Sequence, residues 1–485
     1  MTAARPFPSL RITAEGLFAE GSFAEAQAAF LRPAKDRVEK LDALLIAKKV
    51  GVVAHYYMDP ELQGVLAGCT HPHIHVSDSL VMADRAVAMA QAGMESIVVL
   101  GVDFMSENAR AMLDAAGFAH VPVYRVASDP IGCSLAEAAE APAYGAYLAQ
   151  AAKAKHPLHV VYINTSLRTK AKAHALVPTI TCTSSNVVQT ILQAAAQIPD
   201  VEIFFGPDTY MGRNLAHLLD VLGTMTDAQV EKLHPAHDVA SIRALRARFR
   251  FFEEGACIVH HLFGHDVVEK VKTHYRDAYV TAHLEVPGEM FAIGLEAQQH
   301  ERGVVGSTSE ILGFIDHVVE GAIAKHESRT LTFVLGTEAG MITPIVRKVE
   351  ERLRANRAAG GPDLAVEIVF PVASEAIAQV DDPLAVVPGV AGGEGCSTAG
   401  GCATCPYMKM NSLTALFALL ERLGKVEPGT LAAFHPKVYA ELVKGRAIAE
   451  LGGEPILHMR GFQKEKRIPE GLVADVLSRT AGAAS

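Results

Sequence analysis

No stretch of this chain approaches 18 uninterrupted apolar residues, so a membrane span is not expected. The first residues, 1-MTAARPFPSLRITAEG-16, lack the apolar core of a secretory leader, and a cytoplasmic protein is the expectation. Basic excess is missing as well. The 44 Lys and Arg residues stand against 54 Asp and Glu, a formal charge of −10, and they are dispersed, which argues against a nucleic-acid partner. An anionic substrate would therefore have to meet a local positive field. There is no Walker A sequence and no GxGxxG in a strand-to-helix context, so nucleotide binding is unsupported. Cysteine is sparse. Seven of them at irregular spacing in a large chain argue against a disulfide framework and leave metal ligation or ordinary burial.

What the chain does have is 485 residues, half of them apolar, enough for two to four domains each with a core. It also has an internal repeat. The apolar runs 50-VGVVAHYY-57, 158-LHVVYINTS-166 and 278-AYVTAHLE-285 each end in polar residues. Each is followed at a helix start by a hydroxyl, Ser79, Ser184 or Thr308, and then by a second apolar run closing on glycine with an acid two residues on: Gly101/Asp103, Gly206/Asp208 and Gly336/Glu338. Cys133, Cys257 and Cys405 close the three repeats, one thiol apiece, as for a shared metal cluster. Val/Ile/Phe runs of strand length alternate with Ala/Leu-rich helical segments, which predicts parallel sheets with crossover helices. Strands are expected near 50, 73, 96 and 121, near 158, 179, 201 and 256, and near 278, 303, 331 and 365. The fold class expected is α/β, with three similar three-layer α-β-α domains in a pseudo-threefold arrangement around a central cluster site. The borders expected are 1–35 for an extension with an amphipathic helix or arm at 17–31, 36–132, 133–256 and 257–404 for the three domains, and 405–485 for a helical segment packing on the first.

In parallel α/β sheets, ligands bind beyond the carboxyl ends of the strands. The residues ending the first strand of each repeat are therefore the candidates: His55 and Tyr57, Tyr162 and Asn164, His283 and Glu285. Ser79, Ser184 and Thr308 beside free helix N–H groups would add three anion cradles. Each has a plainer reading. A hydroxyl at a helix start is more often a cap. A His or Tyr ending a strand is more often packing, and a lone cysteine in an Ala-rich core is more often structural. Recurrence in three repeats is what neither capping nor packing requires. Cys402 and Cys405 have half the spacing of a zinc site, but no partner pair exists.

The motifs 54-AHYYMDPELQ-63, 77-SDSLVMA-83, 101-GVDFMSENA-109, 133-CSL-135, 162-YINTS-166, 183-TSSN-186, 206-GPDTYMGR-213, 255-GACIVH-260, 306-GSTS-309 and 405-CPYMKMN-411 together resemble the quinolinate synthase family of the bacterial type, over about residues 36 to 425. The resemblance implies condensation of iminosuccinate (iminoaspartate) with dihydroxyacetone phosphate to quinolinate, releasing phosphate and water, in NAD biosynthesis. It implies a [4Fe-4S] cluster held by Cys133, Cys257 and Cys405 with one iron open as a Lewis acid. By the same resemblance His55, Ser79, Tyr162, Asn164, Ser184, His283 and Thr308 grip the substrates' carboxylates and phosphate, and Tyr57 and Glu285 form an acid/base pair. Partners implied are the two small-molecule substrates, with transient contact to the iminoaspartate-producing enzyme. The family's His-Pro-Glu stands here as 283-HLE-285, and the first repeat carries an extra 69-CTHPHIH-75. Cys182 reads as a core strand residue, and Cys402 with Cys405 as a redox pair that would remove a ligand. Two readings from other classes remain: a non-catalytic iron-sulfur sensor, and a metal-free sugar-phosphate lyase or aldolase using the same cradles.

Overall fold

A computed structural model describes residues 5–371 and 405–479. The glycine-rich stretch 389–401 and Cys402, hence the proposed redox pair, lie outside the described residues. The chain forms two compact units. The first comprises residues 1–102, 121–131 and 258–435, and the second 103–120, 132–257 and 436–485.

Strands β1 (Ser9–Ile12) and β2 (Leu17–Glu20) form an antiparallel hairpin in the first unit. The helix or arm expected over 17–31 is corrected here: residues 17–20 are a strand, and only Ser22–Phe30 is helical. The alternating burial of β2 marks it as an edge strand exposed on one face.

The next four strands, β3 (Val50–His55), β4 (Ile74–Ser77), β5 (Ser96–Leu100) and β6 (Val123–Tyr124), make a parallel sheet of order β4-β3-β5-β6 in the first unit. In the second unit β7 (Pro157–Tyr162), β8 (Thr179–Cys182), β9 (Glu202–Gly206) and β10 (Phe249–Phe251) form a parallel sheet of order β10-β9-β7-β8. The first unit then completes a third sheet from β11 (Tyr279–His283), β12 (Gly303–Gly306), β13 (Thr330–Gly336) and β14 (Ala365–Val369), in order β12-β11-β13-β14, to which β1 and β2 add antiparallel. Each parallel sheet thus has its own second strand outside its first, then the third and fourth on the other side. The strand order confirms the repeat at the level of topology.

Every residue of β3 and β7 is buried, which is why those runs read as unbroken apolar stretches rather than alternating ones. Cys182 ends β8 without exposure, as a core residue. The segment 405–485, expected as one helical tail, divides. Leu413–Arg422 packs on Lys35–Ala47 in the first unit, whereas Ile448–Glu465 lies along Leu167–Leu176 and β8 in the second. The apolar stripe of Ile448–Glu465 is closed by Gly452, whose missing Cβ would stand 2.3 Å from the Leu167 carbonyl oxygen.

One side chain ties the stretch after Cys405 to the first sheet. Asn411, fully buried, accepts from the Gly101 N–H at 3.0 Å and donates to the carbonyls of Gly101 (3.2 Å) and Met408 (3.1 Å). Asn411→Ala leaves the Gly101 groups without these partners away from water. We expect a loss of about 2–4 kcal/mol, read as a lower denaturant midpoint in equilibrium unfolding.

Candidate active site

The strand register explains why the sequence repeat falls where it does. His55 pairs with Ser77, Tyr162 with Cys182, and His283 with Gly306, so Ser79, Ser184 and Thr308 stand at the same step beyond the second strand of each sheet. On the other side Ala54 pairs with Leu100, Val161 with Gly206 and Ala282 with Gly336. The first glycine-acid pair is therefore corrected. Gly206 and Gly336 correspond to Leu100, not Gly101, so Asp103 sits one step out of register and opens the helix Asp103–Ala115. Asp208 caps the helix Thr209–Leu222, accepting from the Met211 N–H at 2.8 Å. Glu338 makes no such cap. In each sheet the first strand adjoins the third where strand order reverses, the switch point at which open α/β sheets bind ligands.

In the first unit these strand ends build one dense polar cluster. The Tyr57 N–H donates to His55 Nδ1 at 3.2 Å, and the Glu285 N–H donates to His283 Nδ1 at 3.4 Å. The same local turn thus occupies Nδ1 of both imidazoles and leaves the proton on Nε2. Burial keeps both rings neutral. His55 is pushed down to about 4, with Asp78 and Glu285 opposing, and His283 to about 3 by burial, against Glu285 but aided by His260 and His55. His260 stacks on His283 with ring centres 4.9 Å apart, and its Nδ1 lies 3.2 Å from Glu285 Oε2. That approach is off the N–H line, and neither ring nitrogen of His260 completes a hydrogen bond. The Tyr57 hydroxyl is 3.0 Å from Thr337 Oγ1. Gly340 packs so closely that a Cβ would meet the Tyr57 Cα at 2.6 Å, which fixes the turn bearing Tyr57.

The capping reading does not hold for Thr308. The cap of the helix Thr308–Ala324 is Ser307, which forms a capping box with Glu310. The Thr308 hydroxyl is buried and has no hydrogen-bond partner. Ser79 opens the helix Ser79–Gln91, with Asp78 beside it receiving Ser309 Oγ at 3.3 Å. Ser184 departs from expectation. It lies in a turn, and the helix begins only at Val187 with Asn186 as its cap residue. Tyr162 ends β7 in the second unit and is buried, and Asn164 lies half-buried in the loop that follows.

The cysteines split by environment. Cys133, Cys257 and Cys405 are half-buried and free of disulfides. In the second unit Ser134 Oγ donates to the Ala256 carbonyl at 3.0 Å, which brings the backbones beside Cys133 and Cys257 together. In the first unit the Cys405 N–H donates to Glu338, a buried carboxyl raised well above its usual range by desolvation and by Glu285, with its Oε2 unpartnered. Thiols of this kind suit iron-sulfur or zinc rather than hard cations, so the donor set fits a cluster. Cys69 is likewise half-buried, and burial pushes its thiol up to about 12.

Glu338, Thr337 and His260 were not singled out for a site role from sequence. The 336-GTE-338 glycine-acid step was the available signal for the first two, and His260 closes the quoted 255-GACIVH-260.

A family model described as quinolinate synthetase A protein matches residues 39–364. The chain belongs to the quinolinate synthase family. It is 55% identical to a chloroplastic quinolinate synthase of Nicotiana tabacum, over 98% of this chain and 68% of the relative, and 54% identical to that of Arabidopsis thaliana, over 98% and 67%. A quinolinate synthase of Prochlorococcus marinus is 26% identical over 77% of this chain and 79% of its own. The chain thus spans about two thirds of the length of the plant relatives. The cytoplasmic expectation is corrected by those names, which point to a plastid. A test for an apolar leader sees secretory signals only, since transit peptides are amphipathic, so it could not separate the two compartments. Among the described residues no helix is long and apolar enough to cross a membrane.

Two neutral buried histidines carry a pH dependence. Their folded-state values, about 4 and about 3, lie below the ordinary 6.5 of an unfolded chain, so the unfolded state binds the extra protons. Their penalty is absent above about pH 6.5 and grows as pH falls, to roughly 2 kcal/mol per residue at pH 5. Unfolding midpoints of wild type should fall from pH 7 to pH 5 more steeply than those of His283→Asn.

Proposed function

We propose that this chain joins iminosuccinate to dihydroxyacetone phosphate, releasing phosphate and water to form quinolinate for NAD biosynthesis, as a transferase of the plastid. The observation carrying this reading is the Thr308 hydroxyl, buried, excused from capping and left without a partner two residues beyond Gly306, the strand partner of His283. A buried polar group of that kind costs about 1–3 kcal/mol in the free protein and is explained by a ligand that satisfies it.

On this reading Cys133, Cys257 and Cys405 hold a [4Fe-4S] cluster. When bound, it supplies a Lewis-acidic iron that has no protein ligand. The chain's own residues bind, orient and move protons. His55 and His283 offer Nε2–H to substrate carboxylate oxygens without adding a charge that would need its own counter-ion. Ser79 and Thr308 contribute hydroxyls at helix starts, where free N–H groups favour anions. Tyr162, Asn164 and Ser184 supply the corresponding set from the second sheet. The Tyr57 hydroxyl, steadied by Thr337 Oγ1, exchanges a proton with the substrate. Glu285, flanked by His260 and His283, takes the proton released in enolisation and returns it to the departing hydroxyl.

The test is anaerobic purification with iron and sulfide quantified alongside activity. Cys133→Ala, Cys257→Ala and Cys405→Ala should each lose iron, while Cys69→Ala and Cys182→Ala keep it. Tyr57→Phe should keep its iron and lose about 10²–10⁴-fold in kcat. Iron retained at wild-type level in any of the three cysteine variants contradicts the cluster assignment.

A further inference from the structure

The second unit contains a fully buried lysine that no part of the proposed chemistry uses. Lys170, on the helix Leu167–Leu176, has no exposed surface. Its Nζ donates to the Ile163 carbonyl at 3.1 Å and, more closely, to the Thr165 carbonyl. Those two carbonyls flank Asn164 and belong to the loop that leaves β7 after Tyr162.

The loop has few other ways to satisfy itself. Its Thr165 N–H turns back to Ile163 O at 2.7 Å and Thr165 Oγ1 donates to Tyr162 O at 3.1 Å, while Ser166 caps the helix by accepting from the Thr169 N–H. A methylene chain in place of the ammonium would take one of two donors from the Ile163 carbonyl and leave the Thr165 carbonyl short of a donor inside the protein.

The charge has a matching anion. Glu107, on the helix Asp103–Ala115 and almost fully buried, is the charged neighbour that favours the Lys170 ammonium against the desolvation that lowers it. Glu107 Oε2 accepts from the Leu167 N–H at 2.8 Å, and Oε1 accepts from the Tyr439 hydroxyl at 3.0 Å. The carboxylate therefore grips the start of the same helix whose lysine grips the loop, and Phe104 lies under the ammonium at 5.9 Å. Among the described residues no contact ion pair joins Lys170 to Glu107, and burying charge is a costly way to gain stability, so the retention of Lys170 here asks for another purpose.

We propose that Lys170 is a positioning residue: by holding the Ile163 and Thr165 carbonyls, it sets the conformation of the loop that presents Tyr162 and Asn164 to substrate. This rests on the substrate-binding role proposed above for those two residues. Lys170 itself touches no reactant.

The experiment separates positioning from plain stability. Lys170→Met should lower Tm, because Glu107 is left as a buried carboxylate without its cation, and should raise KM about tenfold or more with a smaller change in kcat. The double variant Lys170→Met/Glu107→Gln removes the stranded charge and should recover much of the lost Tm. Its KM should stay high, because the loop still lacks the ammonium and the Thr165 carbonyl its donor. If KM returns to the wild-type value together with Tm, Lys170 is merely structural and the proposal is overturned. Asn164→Ala is measured alongside. A raised KM there with normal KM in the double variant sinks the positioning role alone, and an unchanged KM in Asn164→Ala sinks the substrate reading and the proposal with it.

Discussion

Desolvation at the carboxyl ends of the central strands is the constraint on which the rest depends. Imidazoles, carboxyls and hydroxyls that water would solvate are held in the protein interior: His55, His260, His283, Glu285, Thr308 and Glu338 are each less than a tenth exposed. Out of water His55 and His283 stay neutral, and the Glu338 carboxyl is raised well above its usual range. At His55 and His283 the cluster therefore meets an anionic ligand with neutral donors rather than with cations.

The fold supplies the geometry cheaply. A strand ending His-x-Tyr or His-x-Glu turns its own i+2 N–H onto Nδ1, so a single backbone feature fixes tautomer and ring direction at His55 and at His283. Placing the first strand of each sheet beside the third puts that turn at the switch point. The neighbouring glycines are a matter of space: at Gly336 a Cβ would stand 2.3 Å from the Thr281 carbonyl, so only glycine lets β13 pass β11 at that step.

Much of this was legible in the sequence because it is periodic or punctuated. Eleven of the twelve parallel strands lie where Val/Ile/Phe runs of strand length predict them; the strand expected near 256 is corrected to the short Phe249–Phe251, whose FRF carries little apolar signal, while 255-GACIVH-260 is not a strand. The closeness of His55, Tyr57, His283 and Glu285 follows from their shared place where such runs end. Other features carried no local signal. The β1–β2 hairpin is short and its apolar spacing at 17–31 also fits a helix, so only pairing with β14 decides it. The one-residue offset of Gly101 is invisible until Ala54 is seen opposite Leu100. Lys170 is charged, and charge reads as surface, until Glu107 and Tyr439, distant in the chain, are brought beside it. Ser307 and Thr308 are adjacent hydroxyls, and nothing in their types tells which one caps.

That last pair offers the most direct test. If the site keeps unpartnered polar groups in readiness for a ligand, then removing one should relieve the empty protein and harm only the bound one. Thr308→Val keeps the shape and deletes the hydroxyl. The account predicts that the ligand-free variant melts at or above the wild-type temperature while KM in the anaerobic quinolinate assay rises several-fold. A clear fall in melting temperature with KM unchanged would mean that the hydroxyl serves the fold and would contradict the account.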